Sequence, residues 1–424
     1  MLGRFPRGGQ RAWNVRHRAI ENTLGRTIVF PSLSKRVAIL GSTGSIGRSA
    51  LEVIEHLGRP YRIAALSAHT QVAMLMEQAR RYRPAAVALT GHPPDMDLRD
   101  ELRSVGTDVY FGPEGLAEIA SRQDVDIVLV AVVGAASLPA VLSAVAAGKR
   151  LALASKEALV VAGCLLVPEA RRRHAEILPV DSEHSAVFQA SQAGRRAEIS
   201  RLILTGSGGP FLRATAAQME DATVADALKH PTWRMGSKIT IDSATMFNKA
   251  LEIIEACWLF DMPPERIDVV IHPESIVHSM VEFVDGSVLA QMAPPDMRTP
   301  IQYALTYPER LPGLGRRLDL ASLAALHFEQ PDPRRFPALR LAYEVARVRG
   351  TAGAVLNAAN EAAVAAFTQG RISFPRIAAL VEETLAAHNV VPDPSLETLL
   401  EADRWAREKV GALMNRSCRS MSST

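Results

Sequence analysis

An α/β chain is predicted, with a parallel sheet first, a mixed α+β region next and a helical segment last. Three observations predict it. From Lys35 to about Val180, continuous apolar runs alternate with amphipathic stretches. The first run ends in a glycine triplet, as a strand turning sharply into a helix does. Beyond Phe336 nearly everything has helical period, as in "ALRLAYEVARV" and "AVLNAANEAAVAAF".

In order, the strand candidates are "KRVAIL", "YRIAALS", "PAAVAL", "VDIVLVAVV", "KRLALAS" and "EILPV". Runs that are apolar at every position belong in a sheet covered by helices on both faces, because neither face can meet water. From about Arg201 the texture changes to "RLILTGSGGPF", a loop bearing Pro and Gly, and then a long helix. Two more strand candidates follow in "RIDVVIH" and "SVLAQM". A chain of 424 residues exceeds one ordinary core, so two or three domains are expected.

Composition narrows the class. The chain is 48% hydrophobic, yet it has no uncharged apolar stretch near the length of a membrane span. Cys164, Cys257 and Cys418 lack metal-type spacing, which argues against a disulfide framework and a thiolate zinc site. The formal net charge is +3, but residues 1–34 hold six arginines against Glu21 alone. That leader carries +5 and leaves −2 for the remainder, so the body makes no case for nucleic-acid binding. The leader reads equally as an organelle transit peptide, a disordered bacterial extension or an overlong start.

The glycine turn is "GSTGSIG", with Gly41, Gly44 and Gly47 before a helix whose apolar face is Ile46, Ala50, Val53, Ile54 and Leu57. Gly58 follows as a C-cap. Backbone N–H groups and a helix dipole meet there, which is how a pyrophosphate is held without side-chain charge. A ligand-free tight turn is the plainer reading. The second strand ends "ALSAHTQV", and no acid occurs between Glu55 and Glu77 to bind ribose hydroxyls. Ser67, His69 and Thr70 tolerate a 2′-phosphate there, so NADP is favoured over NAD, although no Arg or Lys stands beside them.

A second constellation begins at "VDSEHSA". Asp181 and Glu183 are two apart, so on an extended segment they point the same way, and two carboxylates side by side call for a cation. The competing reading is a capped helix start with Glu183 in a solvated first turn. On this motif alone the two balance. In "DSATMFNKALEIIEA", Asn248, Glu252 and Glu255 share one helix face and offer a third carboxylate. An all-oxygen set suits Mg²⁺ or Mn²⁺, with Co²⁺ a third candidate. Ser207 in "TGSGG", with Ser243, Asn248 and Lys249, has the hydroxyls, amide and ammonium that a phosphate monoester needs; ordinary caps and a surface lysine are the alternative. Between them, "HPTWRMGS" reads as a lid over substrate or as a packed surface loop.

Taken together, "GSTGSIG", "ASKEALV", "VDSEHSA", "TGSGGPF", "HPTWRMGSKITIDSATMFNKALEIIEA" and "MAPPDMRTPIQYAL" resemble the 1-deoxy-D-xylulose 5-phosphate reductoisomerase family. The resemblance runs in order from about Lys35 to about Leu400. It implies an NADPH- and divalent-metal-dependent enzyme making 2-C-methyl-D-erythritol 4-phosphate for isoprenoid precursors. The route would be retro-aldol cleavage with re-addition, or a ketol shift, and then hydride reduction. Carried over residue by residue, the metal ligands are Asp181, Glu183 and Glu252, which with Lys156 form the catalytic set. Substrate contacts fall on Lys156, Ser182, Glu183, Ser207, His230, Trp233, Met235, Ser243, Asn248, Lys249 and Glu252. Cofactor positions are Thr43, Gly44, Ser45, Ile46 and Gly236, with Glu157 beside the nicotinamide site.

Three departures stand out. Ser155 replaces an Asn that touches the cofactor, and His69, Thr70 and Gln71 replace a usual Gly–polar–Asn turn at cofactor positions. Thr232 stands where the lid often has Asn. The resemblance further implies a homodimer of V-shaped subunits.

The expected division is a disordered or targeting-like extension at 1–34, an NADP-binding Rossmann-like domain at 35–180 and a catalytic domain at 181–325 with a flexible lid at 229–238. A helical domain at 326–412 and a disordered tail at 413–424 complete it. A bacterial cytoplasm fits the Ala/Arg-rich texture better than a plastid. Two rival classes fit parts of the chain. A semialdehyde dehydrogenase-like reductase needs a thiol nucleophile or a hydride-relay His, and has no use for three metal carboxylates. A silent NADP-binding scaffold predicts loss of a ligand carboxylate, and all three positions are acidic.

Overall fold

The computed structural model describes residues 34–421 except Pro94, Val105 and Arg234, together with two short leader strands, Ala19–Glu21 and Thr27–Val29, which pair antiparallel. The rest of the leader, and the targeting role considered for it, lie outside the described residues.

The first sheet has seven parallel strands: β1 (Lys35–Leu40), β2 (Tyr61–Ala68), β3 (Ala86–Leu89), β4 (Asp108–Phe111), β5 (Ile127–Val130), β6 (Arg150–Leu153) and β7 (Ile177–Pro179). Their order is β4-β3-β2-β1-β5-β6-β7. All six expected strands are present, and β4 is additional. It is an edge strand of sequence "DVYF" with one fully buried residue, so it lacks the apolar run that marks the others. Alternation along β1 serves two faces. Val37 and Ile39 join one cluster with Val53 and Leu75, and Ala38 and Leu40 join another with Leu116 and Val141.

Strand order reverses at β1, which places a crevice at the carboxyl ends of β1 and β5. Gly41 lies there at φ +86, and a Cβ on it would stand 2.6 Å from the carbonyl oxygen of Ala131. A Cβ on Gly47 would stand 2.2 Å from the Gly41 carbonyl oxygen. Only glycines allow this turn. Helix α1 (Ser45–Leu57) starts from it and ends on Gly58, whose N–H bonds the Ile54 carbonyl.

The second sheet runs β9-β8-β10-β11, from β8 (Ile199–Gly206), β9 (Ile267–Ile271), β10 (Val277–Phe283) and β11 (Val288–Met292). Strand β10 was not expected, because His278 and Ser279 interrupt its apolar pattern although both are buried. The helices that matter below are α2 (Glu157–Arg173), α3 (Ser182–Ser191), α4 (Ser237–Ala244), α5 (Phe247–Leu259) and α6 (Arg298–Thr306). The single long helix expected around residues 242–256 is two, α4 and α5, broken at Met246 in the left-handed region (φ +63).

The C-terminal helices are α7 (Ala338–Val348), α8 (Ala352–Thr368), α9 (Phe374–Ala386) and α10 (Leu396–Met421). Leu341, Phe367 and Ile377 share one core with Leu204 of β8 and Phe247 of α5. Ala354, Val355 and Ala406 join the core of the first sheet instead. Helix α10 runs to Met421, where a disordered tail from 413 was expected; Leu413 and Met414 pack partly against the core and extend the helix. Among the described residues no helix is long and apolar enough to cross a membrane.

Candidate functional site

Strand β7 delivers the chain to Asp181, which is the N-cap of α3, and Glu183 falls in that helix's first turn. The expected extended segment is therefore absent, and a helix start brings the two acids together. The capping alternative is right about the backbone and wrong about the side chains. Asp181 makes no cap bond, and Glu183 is only 18% exposed. Glu252 comes from α5, and one oxygen from each of the three carboxylates lies within 4.8 Å of the others.

Two ammoniums stand between these acids. Lys156, at the N-terminus of α2, lies 2.5 Å from Asp181 Oδ2 and 2.9 Å from Glu252 Oε1, and donates to Asn248 Oδ1 at 2.8 Å. Lys249 lies 2.9 Å from Glu183 Oε1 and also bonds Glu252. Its stem passes Gly206, where a Cβ would stand 3.2 Å from Lys249 Cε. Burial opposes the charge on both lysines, but Asp181 and Glu252 hold Lys156 well above its ordinary pKa, and Glu183 and Glu252 raise Lys249. Burial also opposes ionisation of Asp181, yet Lys156 and His184 outweigh it and keep that carboxyl well below the usual range. Burial and neighbouring Glu183 push Glu252 upward, so further positive charge beside it favours its ionised form.

Glu255 adds a fourth carboxylate, one helical turn beyond Glu252 and facing His184 Nδ1 at 3.3 Å. Burial raises Glu255, with His184 opposing; burial lowers His184, but Glu255 and Asp181 lift it to about 9. Asp181, Glu183 and Glu252 present carboxylate oxygens to one point, and an all-oxygen donor set fits a hard divalent cation. Zinc would select His and Cys.

A second group of polar atoms lies beside the first. His230 Nδ1 accepts the backbone N–H groups of Thr232 at 3.1 Å and Trp233 at 3.0 Å. The ring's other nitrogen therefore carries the proton, and Nε2 lies 3.1 Å from both Ser207 Oγ and Ser243 Oγ. Burial lowers the His230 pKa, in keeping with a neutral ring. Gly208 and Gly209 both have positive φ, and a Cβ on Gly209 would meet the Ser243 carbonyl oxygen at 2.7 Å. The glycines let α4 approach the end of β8, which is how Ser243 reaches Ser207.

Most of these residues line one cavity of about 500 Å³. It gathers Lys156, Asp181, Ser182, Glu183, Ser207, His230, Trp233, Met235, Ser243, Asn248, Lys249 and Glu252, with Ser45, Ile46 and Gly236 from the expected cofactor positions. Thr43 and Gly44 lie in the turn before α1, outside the cavity lining. His69, Thr70 and Gln71 follow β2 and do not line it either; His69 Nδ1 lies 2.9 Å from Thr90 Oγ1. Ser155 and Glu157 sit behind the wall, with Ser155 Oγ 3.1 Å from Glu157 Oε2. Glu157 in turn lies 3.4 Å from Lys238 Nζ, which is 2.8 Å from Asp242 Oδ2.

Sequence reasoning missed Ser275, His278, Asp296 and Met297, which also line the cavity. The signals were two histidines in "HPESIVHS" and an acid between prolines and a helix in "APPDMRTP". His278 is buried, its ring centroid is 6.2 Å from that of Trp233, and Nε2 lies 3.1 Å from the Ala293 carbonyl oxygen.

Sequence profiles for three parts of one enzyme match in order. The 1-deoxy-D-xylulose 5-phosphate reductoisomerase profile matches at residues 37–163, the 1-deoxy-D-xylulose 5-phosphate reductoisomerase C-terminal domain at 177–260, and the DXP reductoisomerase C-terminal domain at 292–409. The 1-deoxy-D-xylulose 5-phosphate reductoisomerase of Chlorobium phaeobacteroides is 50% identical over 383 residues, spanning 90% of this chain and 100% of that protein. The chain belongs to the 1-deoxy-D-xylulose 5-phosphate reductoisomerase family. The Pelodictyon phaeoclathratiforme member is 52% identical over 375 residues, covering 88% of this chain and 98% of its own.

Solved members of the reductoisomerase family share the fold. A crystal structure of DOX-P reductoisomerase in complex with NADPH, fosmidomycin and magnesium is 44% identical with a TM-score of 0.84, covering 90% of this chain and 98% of that one. The Zymomonas mobilis enzyme in complex with NADPH is 42% identical with a TM-score of 0.83, covering 90% of this chain and 99% of that one. The Rossmann-like sheet, the second sheet and the C-terminal helices described above are therefore the fold of this family.

Proposed function

We propose that this chain converts 1-deoxy-D-xylulose 5-phosphate to 2-C-methyl-D-erythritol 4-phosphate with NADPH and a divalent cation, Mg²⁺ or Mn²⁺. One observation carries the reading. Three carboxylates converge within 4.8 Å in the same cavity as a neutral histidine bracketed by two serine hydroxyls, next to the helix start of a glycine turn.

Asp181, Glu183 and Glu252 would hold the cation. When bound, the cation supplies Lewis acidity to an α-hydroxy ketone and NADPH supplies hydride. The rearrangement is retro-aldol cleavage with re-addition or a concerted ketol shift. Lys156 orients a substrate hydroxyl and offsets charge developing on oxygen. Ser207, Ser243, His230, Asn248 and Lys249 anchor the phosphate, a remote group whose binding energy holds the reacting carbons in place. Trp233 and Met235 close over the substrate and exclude water, and Ser182 reaches it from between two ligands.

On the cofactor side, Ser45, Ile46 and Gly236 border the cavity at the nicotinamide end. His69, Thr70 and Gln71, beyond β2, meet the ribose 2′-phosphate, while Ser155 and Glu157 steady the nicotinamide pocket from behind. A homodimer is supported by edge strand β11, where Val288 and Leu289 are exposed next to exposed Val284, a face that another copy would cover. We assign residues 35–180 to cofactor binding, 181–325 to catalysis and 326–412 to the closing helices, in a bacterial cytoplasm. Incubating the purified protein with 1-deoxy-D-xylulose 5-phosphate, Mg²⁺ and NADPH should consume NADPH absorbance. No consumption with folded, metal-loaded protein rejects the assignment.

A further inference from the structure

We infer that Glu255, which touches neither cavity nor ligand oxygen, is a positioning residue for the metal site and acts through His184. The inference rests on the reading of Asp181, Glu183 and Glu252 as ligands. Its basis is geometric. Asp181 is a helix N-cap whose side chain makes no capping bond, so its carboxylate lacks the anchor that such a position normally provides. His184, three residues on and fully buried, takes that place: Nδ1 faces Asp181 Oδ1 at 3.7 Å and Glu255 Oε2 at 3.3 Å. Its other nitrogen donates to the backbone carbonyl of Glu252 at 2.9 Å.

One imidazole thus ties the helix start that presents Asp181 and Glu183 to the helix that presents Glu252. Phe260 lies parallel to the ring, with centroids 6.2 Å apart and planes 4° apart, and restricts its tilt. The ring's rotation in its plane is set by the Glu252 carbonyl at Nε2 and by Glu255 and Asp181 at Nδ1, with Glu255 the nearer of the two acids. The Glu255 carboxylate is 1% exposed, and neither its Oε2 nor His184 Nδ1 makes a hydrogen bond among the described residues, so their 3.3 Å pairing is an electrostatic contact. A buried acid in such surroundings is costly unless it serves the group beside it. Neither His184 nor Glu255 lines the cavity, so neither is placed to touch substrate. Ligand atoms of Asp181, His184 and Glu255 also lie within 4.8 Å of one another, and Nε2–H donation to a carbonyl leaves Nδ1 as the free ring atom, so direct coordination by His184 is the outcome the spectrum below must exclude. Outer partners of this kind typically change metal affinity by about 10–100-fold.

The test is Mn²⁺ binding to the full substrate-free chain, followed by electron paramagnetic resonance, for wild type, Glu255→Gln, Glu255→Asp and Asp181→Asn. Glu255→Gln should raise the Mn²⁺ Kd about tenfold, by the outer-partner effect just given. NADPH Kd should stay unchanged, and most of kcat should return at saturating Mn²⁺. Glu255→Asp should fall between Glu255→Gln and wild type, and it decides the matter if Glu255→Gln does not fold. Asp181→Asn should abolish binding. If Asp181→Asn abolishes binding while both Glu255 variants keep the wild-type Kd, the inference fails alone. If Asp181→Asn binds Mn²⁺ normally, the ligand reading fails and takes the inference with it. A directly coordinated imidazole nitrogen in the Mn²⁺ spin-echo spectrum would make His184 a ligand and overturn the positioning role.

Discussion

The imidazole Nδ1 of His230 accepts the backbone N–H of Trp233 at 3.0 Å, while its Nε2 faces Ser207 and Ser243. One ring therefore links the segment that carries the indole to the hydroxyls assigned to the phosphate. His230→Phe should raise KM for 1-deoxy-D-xylulose 5-phosphate about tenfold or more, the cost of one or two hydrogen bonds. The NADPH Kd should not move. Steady-state kinetics at saturating Mg²⁺ check this, and an unchanged KM rejects the link.

The same ring sets a pH dependence. Burial places the folded pKa of His230 below its ordinary value of 6.5. The unfolded chain then takes up the proton first. This histidine's contribution to stability is full above the ordinary value and is lost as pH falls through the folded pKa. A protonated Nδ1 has no lone pair for the Thr232 and Trp233 N–H groups. Thermal melts from neutral to acid pH should show a smaller acid-side loss of stability in His230→Phe than in wild type; parallel curves would contradict the assignment.

Asp181→Asn keeps the size of the side chain and removes one ligand charge. Turnover should fall below detection while NADPH binding, followed by fluorescence, stays near wild type. Chelator should silence the wild-type enzyme and Mg²⁺ should restore it. Chelator-insensitive turnover would restore the rival dehydrogenase reading.

Lys238 joins Asp242 at 2.8 Å and Glu157 at 3.4 Å, and Asp242 also accepts from Asn360 Nδ2 at 2.8 Å. Lys238→Met leaves two largely buried acids without their cation. It should destabilise the fold by about 3 kcal/mol, the range for breaking a buried pair. Adding Asp242→Asn should recover part of that loss. Urea midpoints measure both, and an additive double mutant would deny the coupling.

Gly209 and Gly236 predict opposite outcomes for the same change. Gly209 has φ +66, and an added Cβ would stand 2.7 Å from the Ser243 carbonyl oxygen, so Gly209→Ala should cost about 2 kcal/mol and separate Ser243 from Ser207. Nothing stands within 4 Å of a Cβ on Gly236, which has negative φ, so Gly236→Ala should leave the melting temperature almost unchanged. Equal melting temperatures for the two variants would refute the packing account of the Ser207–His230–Ser243 cluster.

Much of this was legible because local chemistry is strong at these places. The continuous apolar runs marked six strands of the first sheet, since a strand buried on both faces has no freedom to be polar. The turn at Gly41–Gly47 showed itself because an added Cβ there would collide with backbone. Strands β4 and β10 escaped notice, one being a short edge strand and the other carrying His278 and Ser279 in its buried part. Helix α10 likewise ran past its expected end, because contacts from Leu413 and Met414 favour helix where local composition does not.

By itself, the sequence determined most of the order of elements, the glycine turn after the first strand and the types of residue available for metal and phosphate chemistry. Spacing could not say how Asp181 and Glu183 converge, and the extended geometry it suggested is a helix start. Tertiary structure alone decided that Lys156 and Lys249 separate the carboxylates, that His230 is a neutral donor to two serines, and that Glu252 and Glu255 part company. The last two are three residues apart on one helix face, yet one faces the cavity and the other faces a buried imidazole. The reason is physical: a helix fixes which side chains point together, but only the elements packed against it fix what each one meets.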